Sequence, residues 1–97
     1  GGFEAQAIAI ELEKMHPTRP LTHDLFKRFA KAYKIVIKEV VINKFDQGVF
    51  FSELICDDGN GEKIIDSRTS DAVALALRFN CPIYTYESIL SVAGVVM

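Results

Sequence analysis

The stretch from Ile35 to Asp66 constrains this chain more than any other. Two turn clusters, Asp46-Gln47-Gly48 and Asp57-Asp58-Gly59-Asn60-Gly61, divide it into three runs, Ile35–Phe45, Val49–Cys56 and Glu62–Asp66. The first run is dense in β-branched residues, which favour a pleated, half-buried surface. Gly, Asn and Asp in the clusters supply the positive φ angles and local hydrogen bonds that reverse a chain within a few residues. The centre therefore reads as an antiparallel β-meander, and whatever else folds must pack against it.

Helical patterns flank the meander. Ala5, Ile8, Ala9, Leu12 and Met15 recur at three- and four-residue spacing over Glu4–His16, with Phe3, Ala7 and Ile10 on the other side. A helix apolar on two faces is covered twice. Pro17–Leu21 is a turn, and Thr22–Lys34 a second helix, with Thr22 as N-cap, Leu21 and Phe26 as a hydrophobic staple, and Asp24 favoured by the helix dipole. Its spacing assigns Leu25, Phe26, Phe29, Ala30 and Tyr33 to the core and Lys27, Arg28, Lys31 and Lys34 to solvent. A third helix, about Asp71–Asn80 and capped by Thr69 or Ser70, is apolar all round and is expected to be the most buried. Cys81-Pro82 stops it; Pro82–Tyr84 reads as a short strand and Tyr86–Ala93 as a last helix ended by Gly94. The fold class is α+β, a meander packed with three to four helices, and the 97 residues suit one domain, 1–97.

Composition narrows the function classes. No apolar run reaches the roughly eighteen residues of a membrane span, and no basic segment followed by an apolar stretch suggests a signal peptide. Membrane partners are not expected and a cytoplasmic location is. Cys56 and Cys81 form no ligand-spaced pair, and Cys56, within a strand pattern, reads as a buried free thiol. With a net charge of −2, any nucleic-acid contact must come from a local basic patch or a metal ion.

Two polar segments could carry chemistry. Arg19-Pro20-Leu21-Thr22-His23-Asp24 sets a guanidinium, an imidazole and a carboxylate at a helix start, where backbone amides favour an anion. Arg19 could fork onto a phosphate and His23 could move a proton near neutral pH. Asp66-Ser67-Arg68-Thr69-Ser70-Asp71 joins a strand to the apolar helix. Asp66 and Asp71 could hold a divalent ion, and Arg68 could steady phosphate charge. Each segment also has a local explanation, in which Thr22, Ser70 and the aspartates serve only as caps. Convergence of the two would build a cationic pocket edged with carboxylates, with Glu4 as a third. Lys27, Lys31 and Lys34 share one helical face, either as a solvated stripe or against a nucleic-acid backbone.

Gly2-Phe3-Glu4-Ala5 with Ala7-Ile8-Ala9, the Arg19–Leu25 string, and Ile65-Asp66-Ser67-Arg68-Thr69-Ser70-Asp71-Ala72-Val73-Ala74-Leu75-Ala76 resemble the bifunctional nuclease domain family. The resemblance runs in order over nearly the whole chain. Thr69 stands where the family usually has Pro, and the strands that usually precede Gly2 are missing. It implies an α+β domain, often oligomeric, found in bacteria, archaea and plants, with activity on RNA and DNA known from a plant member.

The leading expectation is thus a nuclease assisted by Mg2+ or Mn2+. Catalysis is assigned to His23, Asp24, Asp66, Arg68 and Asp71, substrate binding to Arg19, Thr22 and Ser70, and metal binding to Asp66, Asp71 and Glu4. The rival is a non-enzymatic oligomeric module that binds a ligand or a partner linked to DNA repair. The two-faced first helix leads to a further expectation: missing strands or a second subunit cover it, with a homodimer as first choice.

Overall fold

The computed structural model describes residues 19–94. The expected Glu4–His16 helix, and with it Glu4, lies outside them. In chain order the elements are α1 (Thr22–Ala32), β1 (Val36–Asp46), β2 (Val49–Asp57), β3 (Glu62–Arg68), α2 (Thr69–Phe79), β4 (Ile83–Thr85) and α3 (Glu87–Val92). The α+β meander is present: β1 pairs antiparallel with β2, and β2 with β3. The pairing is mixed, however, because β4 returns beside β1 in parallel, giving the sheet order β3-β2-β1-β4.

The hairpin between β1 and β2 turns on Gln47 and Gly48, both at positive φ, the backbone of the tight turns that match strand twist. Val40 pairs with Leu54, and Ile37 with Cys56. These four residues share one face and are buried with Ala72, Leu75 and Ala76 of α2, so the core is the layer between α2 and the middle of the sheet. The alanine-rich stretch of α2 makes this possible, since small side chains let the helix lie close to the strands. The prediction of a deeply buried α2 holds. Burial pushes the Cys56 thiol up from its ordinary pKa, which keeps it neutral.

Other expectations are corrected. Helix α2 begins at Thr69, two residues early, and Arg68 occupies the N-cap position, where its side chain does not cap the helix. Helix α1 has Leu21 as N-cap, while Thr22 is its exposed first residue. Leucine has no acceptor, so capping is done in the other direction: the Leu21 amide donates to Asp24 Oδ2 at 2.9 Å. The largest correction concerns the faces of α1. Leu25, Phe26, Phe29 and Tyr33 are exposed, and Ala30 alone in this helix is buried. The stripe assigned to the core looks outward, because α1 docks against α2 rather than lying flat on the sheet. Both helices end in a left-handed residue, Lys34 after α1 and Asn80 after α2. Ile35 donates to Ala30 O at 2.8 Å, and Cys81 to Ala76 O at 3.1 Å, the reverse turn that closes a helix on its own last carbonyls.

Candidate active site at two helix starts

Helix α2 makes a pair of polar contacts that fasten the start of α1. His23 Nε2 lies 2.9 Å from Asp71 Oδ1, across 48 residues of sequence. The next residue, Asp24, accepts from Arg78 Nε at 2.7 Å while its other oxygen takes the Leu21 amide. Asp71 and Arg78 are seven residues apart, close to two helical turns, so they stand on the same side of α2. The Arg78 side chain runs back toward the start of its helix, as helical side chains do, and donates to Ala74 O at 3.2 Å on the way. Thus two adjacent residues of α1 meet two residues of one α2 face.

The two contacts differ in chemistry. Partial burial pushes the Asp24 carboxyl up. The Arg78 hydrogen bond, the Leu21 amide and the positive charges of Arg78 and Arg28 outweigh that and hold it below the usual carboxylate range. With both oxygens engaged, Asp24 is a structural anion. The His23 ring is mostly enclosed, with 12% of its side chain exposed, against 35% for Asp71. An ionised carboxylate only accepts, so opposite a charged Asp71 the Nε2 atom is the donor, and in the neutral ring Nδ1 keeps its lone pair. That is the state of an imidazole prepared to take a proton, held in one orientation by a carboxylate.

A third contact supports the start of α2. Ser52, fully buried on β2, shares a 2.6 Å hydrogen bond with Thr69 Oγ1. Sequence reading gave Thr69 or Ser70 as the cap; Arg68 holds that position, and the Thr69 hydroxyl is directed to the sheet. Ser70 is half-buried in the first turn beside it.

The structure therefore brings His23, Asp24 and Asp71 together, with Arg19 exposed just ahead of α1. Asp66 and Arg68 are placed differently. In the β2–β3 register Ser52 faces Ser67, whereas Glu53 faces Asp66 and Phe51 faces Arg68. Side chains alternate along a strand, and Ser52 is on the α2 side, so Asp66 and Arg68 belong to the opposite face. The two polar segments thus meet through His23 and Asp71, while Asp66 and Arg68 stand on the other face of the sheet. Among the described residues, no group of three or more His, Cys, Asp or Glu could hold a metal ion. Glu4, the third residue of the expected metal set, lies outside residues 19–94.

Sequence reasoning missed Arg78 and Ser52. A signal existed for the first: Arg78 is a charged residue in an apolar helix, one heptad after Asp71. Ser52 gave none, since a serine alternating with apolar strand residues is ordinary.

Comparison with known proteins agrees with the motif reading. The chain is 41% identical over all 97 residues to the Mycobacterium tuberculosis proteins named "Uncharacterized protein MT1877" (strain CDC 1551 / Oshkosh) and "Uncharacterized protein Rv1829" (strain H37Rv). It spans 57% of the length of each. The family model of the bifunctional nuclease domain matches residues 1–97. With this match over its full length, the chain belongs to the bifunctional nuclease domain family.

Proposed function

We propose that this domain hydrolyses phosphodiester bonds of RNA, DNA or both, with His23 as the group that moves the proton. The observation that carries the reading is the 2.9 Å contact between His23 and Asp71, supported by membership of a family described as nucleases. Asp71 fixes the ring, and His23 Nδ1 accepts a proton from a water molecule as its oxygen attacks phosphorus. The P–O bond to the leaving group then breaks, and the proton on the ring is available to that departing oxygen. Arg19, at the approach to α1, would meet the phosphate charge, and Thr22 and Ser70 offer hydroxyls at the two helix starts. Asp24 and Arg78 hold the frame. Asp66 and Arg68, on the other face of the sheet, take no part in this step.

His23 and water carry the proton transfer in this step, with or without a divalent ion. Where Mg2+ or Mn2+ assists, a carboxylate such as Asp71, with Glu4, waters and substrate phosphates, would hold it and would stabilise the charge on the phosphate. The proposal extends to a cytoplasmic homodimer. Free Cys56 and Cys81 suit a reducing compartment, and the exposed Leu25, Phe29 and Tyr33 of α1 suit burial against a second copy. The same exposed stripe favours a second reading, an oligomeric partner-binding module without catalysis.

The test is cleavage of labelled RNA and DNA by the purified chain, with Mg2+, Mn2+ or EDTA, beside His23→Ala and Asp71→Asn. Loss of a general base lowers rates by about 10²–10⁴-fold, and that loss is expected for His23→Ala with its circular dichroism retained. An unchanged rate removes His23 from the mechanism, and no cleavage under any condition leaves the partner-binding reading.

A further inference from the structure

One cavity lies apart from the His23–Asp71 contact. It has a volume of about 350 Å³ and is lined by Lys27, Lys31, Lys34, Ile35, Val36 and Phe79. Its floor is apolar, supplied by the end of α2 and the entry to β1. Three lysines, Lys27 and Lys31 of α1 and Lys34 just after it, line the rest. No carboxylate lines it among the described residues. Such a combination suits a ligand with a flat apolar part and a repeated negative charge, because single-strand binders pair a cationic track with apolar surface under the bases.

The cavity is aligned with the candidate active site. His23, Lys27 and Lys31 follow at four-residue intervals, so they occupy one side of α1 about 6 Å apart along the axis. That interval is close to the stride between phosphates of an extended strand. Lys34 continues the line after the helix ends, in a left-handed conformation (φ 60°). Glycine is the usual residue at this position and a lysine there is strained. A lysine thus stands at the edge of the cavity where glycine would be less strained.

We infer that the cleft of Lys27, Lys31 and Lys34 over Ile35, Val36 and Phe79 binds single-stranded nucleic acid. Phosphates lie on the lysines, a base rests on the apolar floor, and the strand leads along α1 toward His23. This rests on the proposed nuclease reading for the identity of the ligand. It adds where the strand lies and which strand form is taken: a duplex would keep its bases from the floor.

The experiment is fluorescence anisotropy with a short labelled single strand in EDTA, titrated at several salt concentrations. The wild-type chain is compared with Lys27→Gln/Lys31→Gln/Lys34→Gln and with a control, Lys38→Gln/Lys44→Gln/Lys63→Gln, that removes equal charge elsewhere. Each lost phosphate contact lowers the slope of log K against log salt by about 0.7 for a single strand, so the cleft variant should be shallower by about 2. The control should keep the wild-type slope, and circular dichroism should show both variants folded. Equal losses in the two variants, no strand binding by wild type, or preferential binding to phosphatidylglycerol vesicles would overturn the inference. Strand binding that depends on the cleft, without cleavage in Mg2+ or Mn2+, supports the inference while the hydrolytic reading fails. Cleavage with an unaltered slope in the cleft variant overturns the inference and leaves hydrolysis standing.

Discussion

Removing Asp24 should damage this domain more than removing its partner Arg78, although the two share one hydrogen bond. The reason is their unequal burial. The Arg78 side chain is 2% exposed and that of Asp24 29%. Arginine stays charged under any condition a protein meets, so Asp24→Ala leaves a buried cation without its carboxylate. The bond to Ala74 O, a neutral acceptor, does not replace that carboxylate. Breaking a buried pair from one side costs about 3–5 kcal/mol, and loss of the Leu21 cap belongs to the same change. Arg78→Met keeps the apolar stem and leaves a carboxylate that water can reach and the Leu21 amide still holds. The lost charge-assisted bond is then the main term, about 1.5–3 kcal/mol. Against a total of about 5–15 kcal/mol for a small domain, the first change brings the fold near its limit and the second does not. Urea unfolding followed by far-ultraviolet circular dichroism measures both. The double variant should recover part of the Asp24→Ala loss, because it removes the buried cation that faced Asp24. A larger loss for Arg78→Met, or no recovery in the double variant, would refute the reasoning.

The same carboxylate sets a pH dependence. Its folded pKa is depressed, so its stabilisation is present above the ordinary carboxylate range and is lost as pH falls through the folded value; the gap between wild type and Asp24→Asn in urea midpoint should therefore narrow below about pH 4. Ser52→Ala leaves the Thr69 hydroxyl without its buried partner and should cost about 1–3 kcal/mol, while Ser52→Ala/Thr69→Val should cost less than the sum of the single changes, read in the same unfolding assay. Lys34→Gly relieves a left-handed lysine and should raise stability by about 1 kcal/mol, seen as a higher thermal midpoint; a lower midpoint would show that the Lys34 side chain contributes more than its backbone costs.

Much of the fold was legible in the sequence because local chemistry decides it. The turns at Gln47-Gly48 and Asp57–Gly61 demand glycine or short polar residues, and the strands between them carry β-branched residues, so the meander followed from patterns only a few residues long. The burial of α2 followed from its apolar run. The motif strings around His23 and Asp71 pointed to the two helix starts as the region to watch. What the sequence could not decide was orientation. Spacing showed that α1 has an apolar stripe and a cationic one, but only tertiary packing determined that the apolar stripe looks outward. Polar contacts to Asp71 and Arg78 fix the docking of its first turn. The pairing of β4 with β1 rather than β3 likewise depends on how the chain returns over the sheet, for which no short-range signal exists. Asp66 and Asp71 are five residues apart and looked equivalent as ligands. The alternation of β3 sends one to the open face, while the helix that begins at Thr69 brings the other to His23. Distance along the chain was known from the start; direction belonged to the fold.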